Sequence, residues 1–247
     1  MEILTIALVL SSAMVPSPRL TWRERMRAQR HIRPHVNPLQ RRFQQQPYHD
    51  IVKSVNFDVT RPLHLDIGCG KGHFCADLAE DRPDLNILGI EIREQLVAEA
   101  QRLQELSGSG NLRFLAGSAN VLAAPCIDRL GRNGELASCS IQFPDPWPKR
   151  RHQKRRVVQR QLVSDLSARM GSGFIFIQSD VEDLACEMRS CFLDSGLFVM
   201  APSKQLDAKG WLLDEYRPFR ANTERERQAQ RRKLPVWRAL LHKQACI

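Results

Sequence analysis

The sequence lacks the residue spacings that indicate a metal site or a disulfide framework. Its cysteines are odd in number and form no Cys-x-x-Cys pair; they lie at positions 69, 75, 126, 139, 186, 191 and 246. His73, His152 and His242 have no partners at the spacing of metal ligands. We therefore expect reduced thiols, a reducing compartment and no metal ion.

The sequence also lacks an apolar run long enough to cross a bilayer. The run at residues 3–10 is far shorter than the roughly 20 residues that a membrane helix needs. Glu2 stands where a secretory signal carries a cation. Residues 1–20 are therefore interpreted as an apolar leader, either an organellar targeting segment or an over-extended start. We expect the mature protein to be soluble.

Positive charge is in excess. The 37 Lys and Arg against 27 Asp and Glu give a net charge of +10 and an isoelectric point of about 9.7, which favours a polyanionic partner. Residues 21–49 are basic and Gln-rich, and prolines at 34, 38 and 47 interrupt any helix there. We interpret this segment as an N-terminal arm and expect one folded domain over residues 50–247.

Beyond residue 50, short apolar runs alternate with helical stripes. The predicted strands cover residues 63–67, 86–90, 111–116, 138–143, 173–178 and 197–200, and two of the predicted helices lie near 156–170 and 181–194. This alternation predicts a doubly wound α/β fold with a mostly parallel sheet covered on both faces. The apolar segment at 236–241 is predicted to add an antiparallel edge strand.

A glycine-rich loop follows the first predicted strand. Residues 66–72 read Asp-Ile-Gly-Cys-Gly-Lys-Gly, and the third glycine comes two residues after the second rather than three. This spacing resembles the S-adenosyl-L-methionine loop of class I methyltransferases more than a dinucleotide loop, although an ordinary strand-to-helix turn is the alternative. Glu91 lies about twenty residues past the loop, where a carboxylate can accept hydrogen bonds from ribose hydroxyls.

The segment 143–152, Phe-Pro-Asp-Pro-Trp-Pro-Lys-Arg-Arg-His, places one carboxylate between two prolines, an aromatic beside it and a cationic run after it. It follows the fourth predicted strand, at the sheet edge where ligands of open α/β folds bind. Asp145 could hold the edge of a purine and stabilise positive charge that arrives on a methylated base. The alternative is a loop carboxylate that pairs with a nearby arginine.

Together these motifs resemble one family. The run from 143 to 156 looks like the signature of bacterial-type tRNA (guanine-N7-)-methyltransferases, and residues 63–72, 177–180 and 223–226 are similar to three further elements of that family. Residues 34–39 resemble the arm of its cyanobacterial and plastid members. The resemblance covers roughly residues 31 to 243. It implies a seven-stranded Rossmann-like fold and an enzyme that methylates N7 of a guanosine in tRNA, at position 46 of the variable loop.

The resemblance also implies roles for individual residues. Asp145 lies at the reaction centre and is the catalytic candidate. S-adenosyl-L-methionine is expected to bind at Asp66, Gly68, Gly70, Gly72, Glu91, Ser118 and Asp145. The substrate nucleoside is expected at Lys149, Asp180, Thr223, Glu224, Arg225 and Glu226, and the RNA backbone at Arg151, Lys154, Arg155 and Arg156. Ser118 departs from the family, where Asp or Asn meets the adenine; Asn120 could substitute.

Two other functions stay open at this point. The Asp-Pro-x-aromatic order also resembles an element of exocyclic-amine methyltransferases, which would make the product an N6-adenine or N2-guanine modification. Alternatively, the chain is a tRNA-binding platform that has lost catalysis, with Ser118 as the first sign. The sequence allows a monomer or a homodimer. We expect a cytoplasmic location, or the plastid stroma if the leader is a targeting segment.

Overall fold

The structure is a computed structural model that describes residues 35–45, 48–133 and 135–244. The predicted leader at 1–20 and most of the predicted arm lie outside the described residues. From His35 onward the chain forms one compact unit. The division into an arm and a domain at residue 50 stays a prediction.

The elements follow the predicted alternation closely. The strands are β1 Leu63–Ile67, β2 Asn86–Glu91, β3 Leu112–Ala116, β4 Leu136–Gln142, β5 Met170–Ser179, β6 Phe198–Met200 and β7 Trp237–Lys243. The helices are α1 Arg41–Gln44, α2 Tyr48–Lys53, α3 His73–Asp81, α4 Glu94–Ser107, α5 Ala119–Leu130, α6 Arg160–Ala168, α7 Glu182–Leu193 and α8 Glu224–Arg231. Short 3-10 helices cover Arg150–Arg155, Ser203–Gln205 and Asp214–Tyr216.

The seven strands form one sheet in the order β3-β2-β1-β4-β5-β7-β6. The first five strands are parallel, and β7 is antiparallel to both β5 and β6. The predicted doubly wound, mostly parallel fold is thus confirmed. The predicted edge position of β7 is wrong, because β7 lies between β5 and β6 and is buried from Arg238 to Leu241. Burial of four consecutive residues is typical of a strand that is covered on both faces.

Two hydrophobic clusters pack on opposite faces of the sheet. Ile175 and Ile177 of β5 belong to one cluster and Phe176 between them belongs to the other. Ala239, Leu240 and Leu241 of β7 alternate in the same way. Since successive side chains of a strand point to opposite faces, both faces are covered by apolar side chains. Among the described residues, no helix combines the length and the apolar character needed to cross a membrane.

The interior also contains a group of hydrogen-bonded polar side chains on β1 and β4. Ser140 donates a hydrogen bond to Asp66 at 2.5 Å, so the Nε2 atom of His64, 3.0 Å from the same hydroxyl, must be the donor to it. The Nδ1 atom of His64 then accepts from Ser138 at 2.8 Å. His64 is fully buried, and burial lowers its pKa from 6.5 to about 3.

This histidine should make stability fall at mildly acidic pH. Below pH 6.5 the unfolded chain binds a proton at His64 that the native protein does not bind, down to about pH 3. Stability therefore decreases as pH falls through that window, by at most about 1.4 kcal/mol per pH unit. We expect His64→Phe to show a shallower dependence of the free energy of unfolding, measured in urea between about pH 5 and pH 6.5. Equal slopes for variant and wild type would contradict a neutral buried His64.

Candidate functional site

One cavity lies where the strand order reverses, at the carboxyl ends of β1, β2 and β4. Ligands of open α/β sheets bind at this type of position, because neighbouring connections leave the sheet on opposite faces there. The cavity is lined by segments of the glycine loop, of the β2 end and of the chain beyond β3 and β4. These are residues 67–68, 90–93, 117–120, 143–145 and 147, together with Val36, Pro38, Arg155 and Val157.

The glycine loop turns sharply between β1 and α3. Gly68, Gly70 and Gly72 have φ values of 82°, 57° and 79°, a region that favours glycine. A Cβ at Gly72 would lie 2.5 Å from Cζ of Phe114, whereas a Cβ at Gly68 or Gly70 would meet no atom within 4 Å. Gly72 thus permits close packing beneath the loop. Gly68 and Gly70 leave space above it that a ligand can enter.

Asp66 supports the loop from beneath. It is buried and is not among the residues that line the cavity. Its Oδ1 atom accepts from Ser140 at 2.5 Å and from Gln142 at 3.4 Å, and its Oδ2 atom accepts from the Cys75 thiol at 3.3 Å. Burial raises the pKa of Asp66 above its ordinary value, against the opposing effect of these hydrogen bonds.

Glu91 ends β2 and lines the cavity. Its Oε1 atom accepts from the backbone N–H and the Nε atom of Arg93 at 2.9 and 3.0 Å, and its Oε2 atom accepts from the Gly70 N–H at 3.1 Å. The carboxylate thereby ties the glycine loop to the β2 end. The Oε2 atom also accepts from an Nη atom of Arg93 at 3.2 Å, so all four lone pairs of the carboxylate are engaged, and ribose hydroxyls can be accepted here only in place of Arg93. Arg93, which also lines the cavity, is not among the site residues predicted from the sequence.

Ser118 and Asn120 both lie in the cavity wall at the start of α5. Ser118 is buried, and the Nδ2 atom of Asn120 donates to the Val157 carbonyl at 3.2 Å. The structure therefore places both candidates for the adenine contact in one wall.

The segment that carries Asp145 is held in an unusual backbone shape. Phe143 and Trp147, on either side of it, have φ values of 49° and 43°, a left-handed conformation that is costly for residues with side chains. The Phe143 N–H donates to the Gln178 carbonyl at 2.8 Å, and the Nε atom of Arg156 donates to the Pro146 carbonyl at 2.9 Å. These anchors hold Asp145 in the cavity wall with its side chain 33% exposed.

The end of the arm meets this segment. The Nδ1 atom of His35 lies 3.0 Å from Oδ1 of Asp145, and its ring centroid lies 5.6 Å from that of Trp147. Val36 and Pro38 line the cavity. None of these three residues is among the site residues predicted from the sequence; the family resemblance of segment 34–39 was the signal that could have found them.

Trp147 is enclosed by cationic and aromatic neighbours. The Arg155 guanidinium lies 4.9 Å from its ring centroid, and the His152 ring meets it edge-on at 5.9 Å. One Trp147 face is therefore occupied by Arg155, which lines the cavity itself.

The predicted RNA-backbone residues divide into two groups. Arg151 and Lys154 are exposed, as are Lys149 and Arg150. Arg156 is only 7% exposed, pairs with Glu187 and binds the Pro146 carbonyl, and burial lowers its pKa. The structure thus favours Arg156 as a brace for the Asp145 segment rather than as a contact for RNA.

The predicted nucleoside contacts lie outside the lining of this cavity. Asp180 forms an ion pair with Arg225, with Oδ2 2.5 Å from an Nη atom. Thr223 caps α8 by accepting from the Glu226 N–H at 3.0 Å. Glu224 is exposed, whereas the Glu226 side chain is fully buried. Lys149, Asp180 and residues 223–226 are all absent from the cavity lining.

Comparison with known proteins identifies the family. A family model described as a putative methyltransferase matches residues 60–239. The tRNA (guanine-N(7)-)-methyltransferase of Microcystis aeruginosa is 42% identical over 210 residues, which cover 85% of this chain and 96% of the relative. The protein of the same name from Synechococcus elongatus is 42% identical over 214 residues, covering 86% and 96%. This chain belongs to the tRNA (guanine-N(7)-)-methyltransferase family.

The family assignment rests on these sequence relatives. Among solved structures, the antibiotic-resistance methyltransferase Kmr aligns with 77% of this chain at 13% identity and a TM-score of 0.48. The predicted resemblance to this family is confirmed. The region that matches the family model, residues 60–239, contains every strand of the sheet except the last four residues of β7. In the part of the chain that the structure describes, no group of three His, Cys, Asp or Glu residues is arranged to hold a metal ion.

The packing at Gly72 gives a test of the loop geometry. We expect Gly72→Ala to destabilise the protein more than Gly108→Ala, which is also at positive φ but has nothing within 4 Å of its added Cβ. The left-handed conformation should cost about 1–2 kcal/mol in both variants. Overlap with Phe114 should add about 1–3 kcal/mol at Gly72. Urea denaturation measures both, and equal losses would mean that Phe114 moves aside freely.

Proposed function

We propose that this chain transfers a methyl group from S-adenosyl-L-methionine to N7 of a guanosine in tRNA, at position 46 of the variable loop. One observation carries the proposal. A single cavity joins Gly68 of the glycine loop and the ribose candidate Glu91 to Asp145, the candidate for the reaction centre. Membership of the tRNA (guanine-N(7)-)-methyltransferase family supports the choice of substrate and atom.

The residues present fit S-adenosyl-L-methionine. The open space over Gly68 and Gly70 admits a ligand close to the backbone, and Glu91 would accept from ribose hydroxyls in place of the Arg93 side chain. Ser118 or Asn120 would meet the adenine. Asp66 would support, from beneath, the loop that holds the methionine part. The cofactor supplies an electrophilic methyl group on a sulfonium.

Asp145 would act on the accepting base. The N7 atom of guanine has an in-plane lone pair and carries no proton, so no general base is required. Methyl transfer leaves positive charge on the base, and a fixed carboxylate stabilises that charge as it forms. The backbone shape at Phe143 and Trp147 holds the carboxylate in place before the base arrives. Positioning should therefore supply most of the rate.

The exposed cations Lys149, Arg150, Arg151 and Lys154 would bind phosphates beside the base pocket. Asp180, Thr223, Glu224 and Arg225 lie outside the cavity lining and would contact neighbours of the nucleoside rather than its base, whereas the buried Glu226 would not contact the substrate. We propose a cytoplasmic protein, or a stromal one if residues 1–20 are a targeting segment, that acts as a monomer or a homodimer.

The deciding experiment incubates the protein with unmodified tRNA and methyl-labelled S-adenosyl-L-methionine, followed by borohydride and aniline. Aniline then cleaves the RNA strand only where N7-methylguanosine has formed. We expect label in the RNA and one cut in the variable loop. Label without cleavage would indicate an amino-group methyltransferase, and salt-sensitive tRNA binding without label would indicate a non-catalytic platform; either result contradicts the proposal.

Asp145 should affect turnover more than cofactor binding. We expect Asp145→Ala to lower kcat by about 10²–10³-fold, the range for removal of one group that stabilises transition-state charge. The dissociation constant for S-adenosyl-L-methionine, measured by calorimetry, should change little. Asp84→Ala, which removes an exposed carboxylate paired with Arg82, is the control. An equal loss of turnover and cofactor affinity at Asp145 would show that this residue is structural.

The four exposed cations should make tRNA affinity depend on salt. If all four neutralise phosphates, the log-log slope should be roughly −3. Arg151→Glu combined with Lys154→Glu should make the slope shallower by roughly 1–2. Lys204→Glu combined with Lys209→Glu, at two exposed lysines elsewhere, is the charge-matched control. Filter binding at several salt concentrations measures the slopes, and equal slopes for the two double variants would rule out this phosphate contact.

A further inference from the structure

Glu226 has no access to solvent, although its sequence element resembles one that contacts substrate. Its side chain is 0% exposed, and its Oε1 atom lies 2.8 Å from an Nη atom of Arg238 and 3.3 Å from one of Arg217. A buried carboxylate is tolerated only when it is paired and hydrogen-bonded, and this one is. In this geometry Glu226 acts on protein groups and not on a nucleoside.

A chain of amide side chains leads from Glu226 to the glycine loop. The Nε2 atom of Gln178 donates to Oε2 of Glu226 at 3.2 Å and to Oε1 of Gln142 at 2.7 Å. The Oε1 atom of Gln178 accepts from Nε of Arg238 at 3.1 Å. The Nε2 atom of Gln142 then donates to Oδ1 of Asp66 at 3.4 Å. One buried network thus connects β1, β4, β5, β7 and α8.

Members of this network lie at or just before the points in the chain where the segments that form the site begin. The glycine loop begins at Asp66, the Asp145 segment begins directly after Gln142, and Asp180 follows two residues after Gln178. Gln178 lies opposite Gln142 in the β4–β5 register and opposite Arg238 in the β5–β7 register. The glycine loop, on the methyl-donor side of the cavity, and the Asp145 segment, on the methyl-acceptor side, are therefore joined to the same network of side chains.

We propose that Gln142 and Gln178, anchored by Glu226, are positioning residues for methyl transfer. They fix the Asp145 segment and the Asp180 segment relative to the glycine loop, so that methyl donor and acceptor nitrogen meet in line. This inference rests on the proposed function. Misplacement of reacting groups by about 1 Å can lower the rate about a hundredfold without loss of binding. A network that serves stability alone would not affect kcat in the folded protein.

The test replaces each glutamine by Met, which keeps its length and removes its hydrogen bonds. We expect Gln142→Met and Gln178→Met each to lower kcat by about ten- to a hundredfold. The KM for tRNA and the dissociation constant for S-adenosyl-L-methionine should change less than about threefold. The double variant should lose no more than the larger single loss, because residues that act as a unit are not additive. All variants are assayed where circular dichroism shows them folded.

Asn86→Met is the matched control. Asn86 is a buried amide at the start of β2, away from the site, and its Nδ2 atom donates to the Asp58 carbonyl at 2.7 Å. We expect this control to keep kcat within about twofold, and its effect to multiply with that of Gln142→Met in a double variant, as for independent sites. If Gln178→Met does not fold, the comparison of kcat between Gln142→Met and Asn86→Met tests the inference by itself.

Three results would overturn the inference while leaving the proposed function intact. They are a kcat loss no greater than that of Asn86→Met, multiplicative losses in the Gln142–Gln178 pair, and a loss confined to KM or to cofactor affinity. A wild-type chain that binds S-adenosyl-L-methionine but does not methylate tRNA would instead overturn the proposed function, and this inference with it.

Discussion

The reversal of strand order between β1 and β4 is the constraint on which the rest of the molecule depends. From β1 the sheet grows toward β2 and β3 in one direction and toward β4 and β5 in the other. Connections between parallel strands are right-handed, so the helices on the two sides of the reversal pack on opposite faces. A crevice remains at the carboxyl ends of β1 and β4. The glycine loop leaves one of these strands and the Asp145 segment leaves the other.

Buried polar groups connect this crevice to the interior. His64, Ser140 and Asp66 form one hydrogen-bonded group under the glycine loop, and Gln142 joins it to Gln178 and the Glu226 ion pairs. Each of these groups would be costly to bury without a partner. The partners come from neighbouring strands, so the hydrogen bonds also fix strand register beneath the site.

The Asp145 segment is supported from several sides. Arg156 binds its backbone and pairs with Glu187 on α7, Arg155 stacks on Trp147, and His35 approaches both Asp145 and Trp147. These contacts offset the cost of the left-handed conformations at Phe143 and Trp147. The basic run after Asp145 is thus divided, because part of it braces the segment and part of it is exposed to solvent.

The sequence by itself determined the order of strands and helices, the glycine loop and the position of Asp145 after β4. Burial on a face imposes a local spacing of apolar residues, and glycine and proline act through the local backbone, so neighbours along the chain suffice for these inferences. Only the tertiary structure decided that β7 enters between β5 and β6, that Glu226 and Arg156 face inward, and that Val36 and Pro38 line the cavity. The partner of a strand or of a charged side chain comes from distant parts of the chain, and the local spacing of residues does not indicate which partner that is.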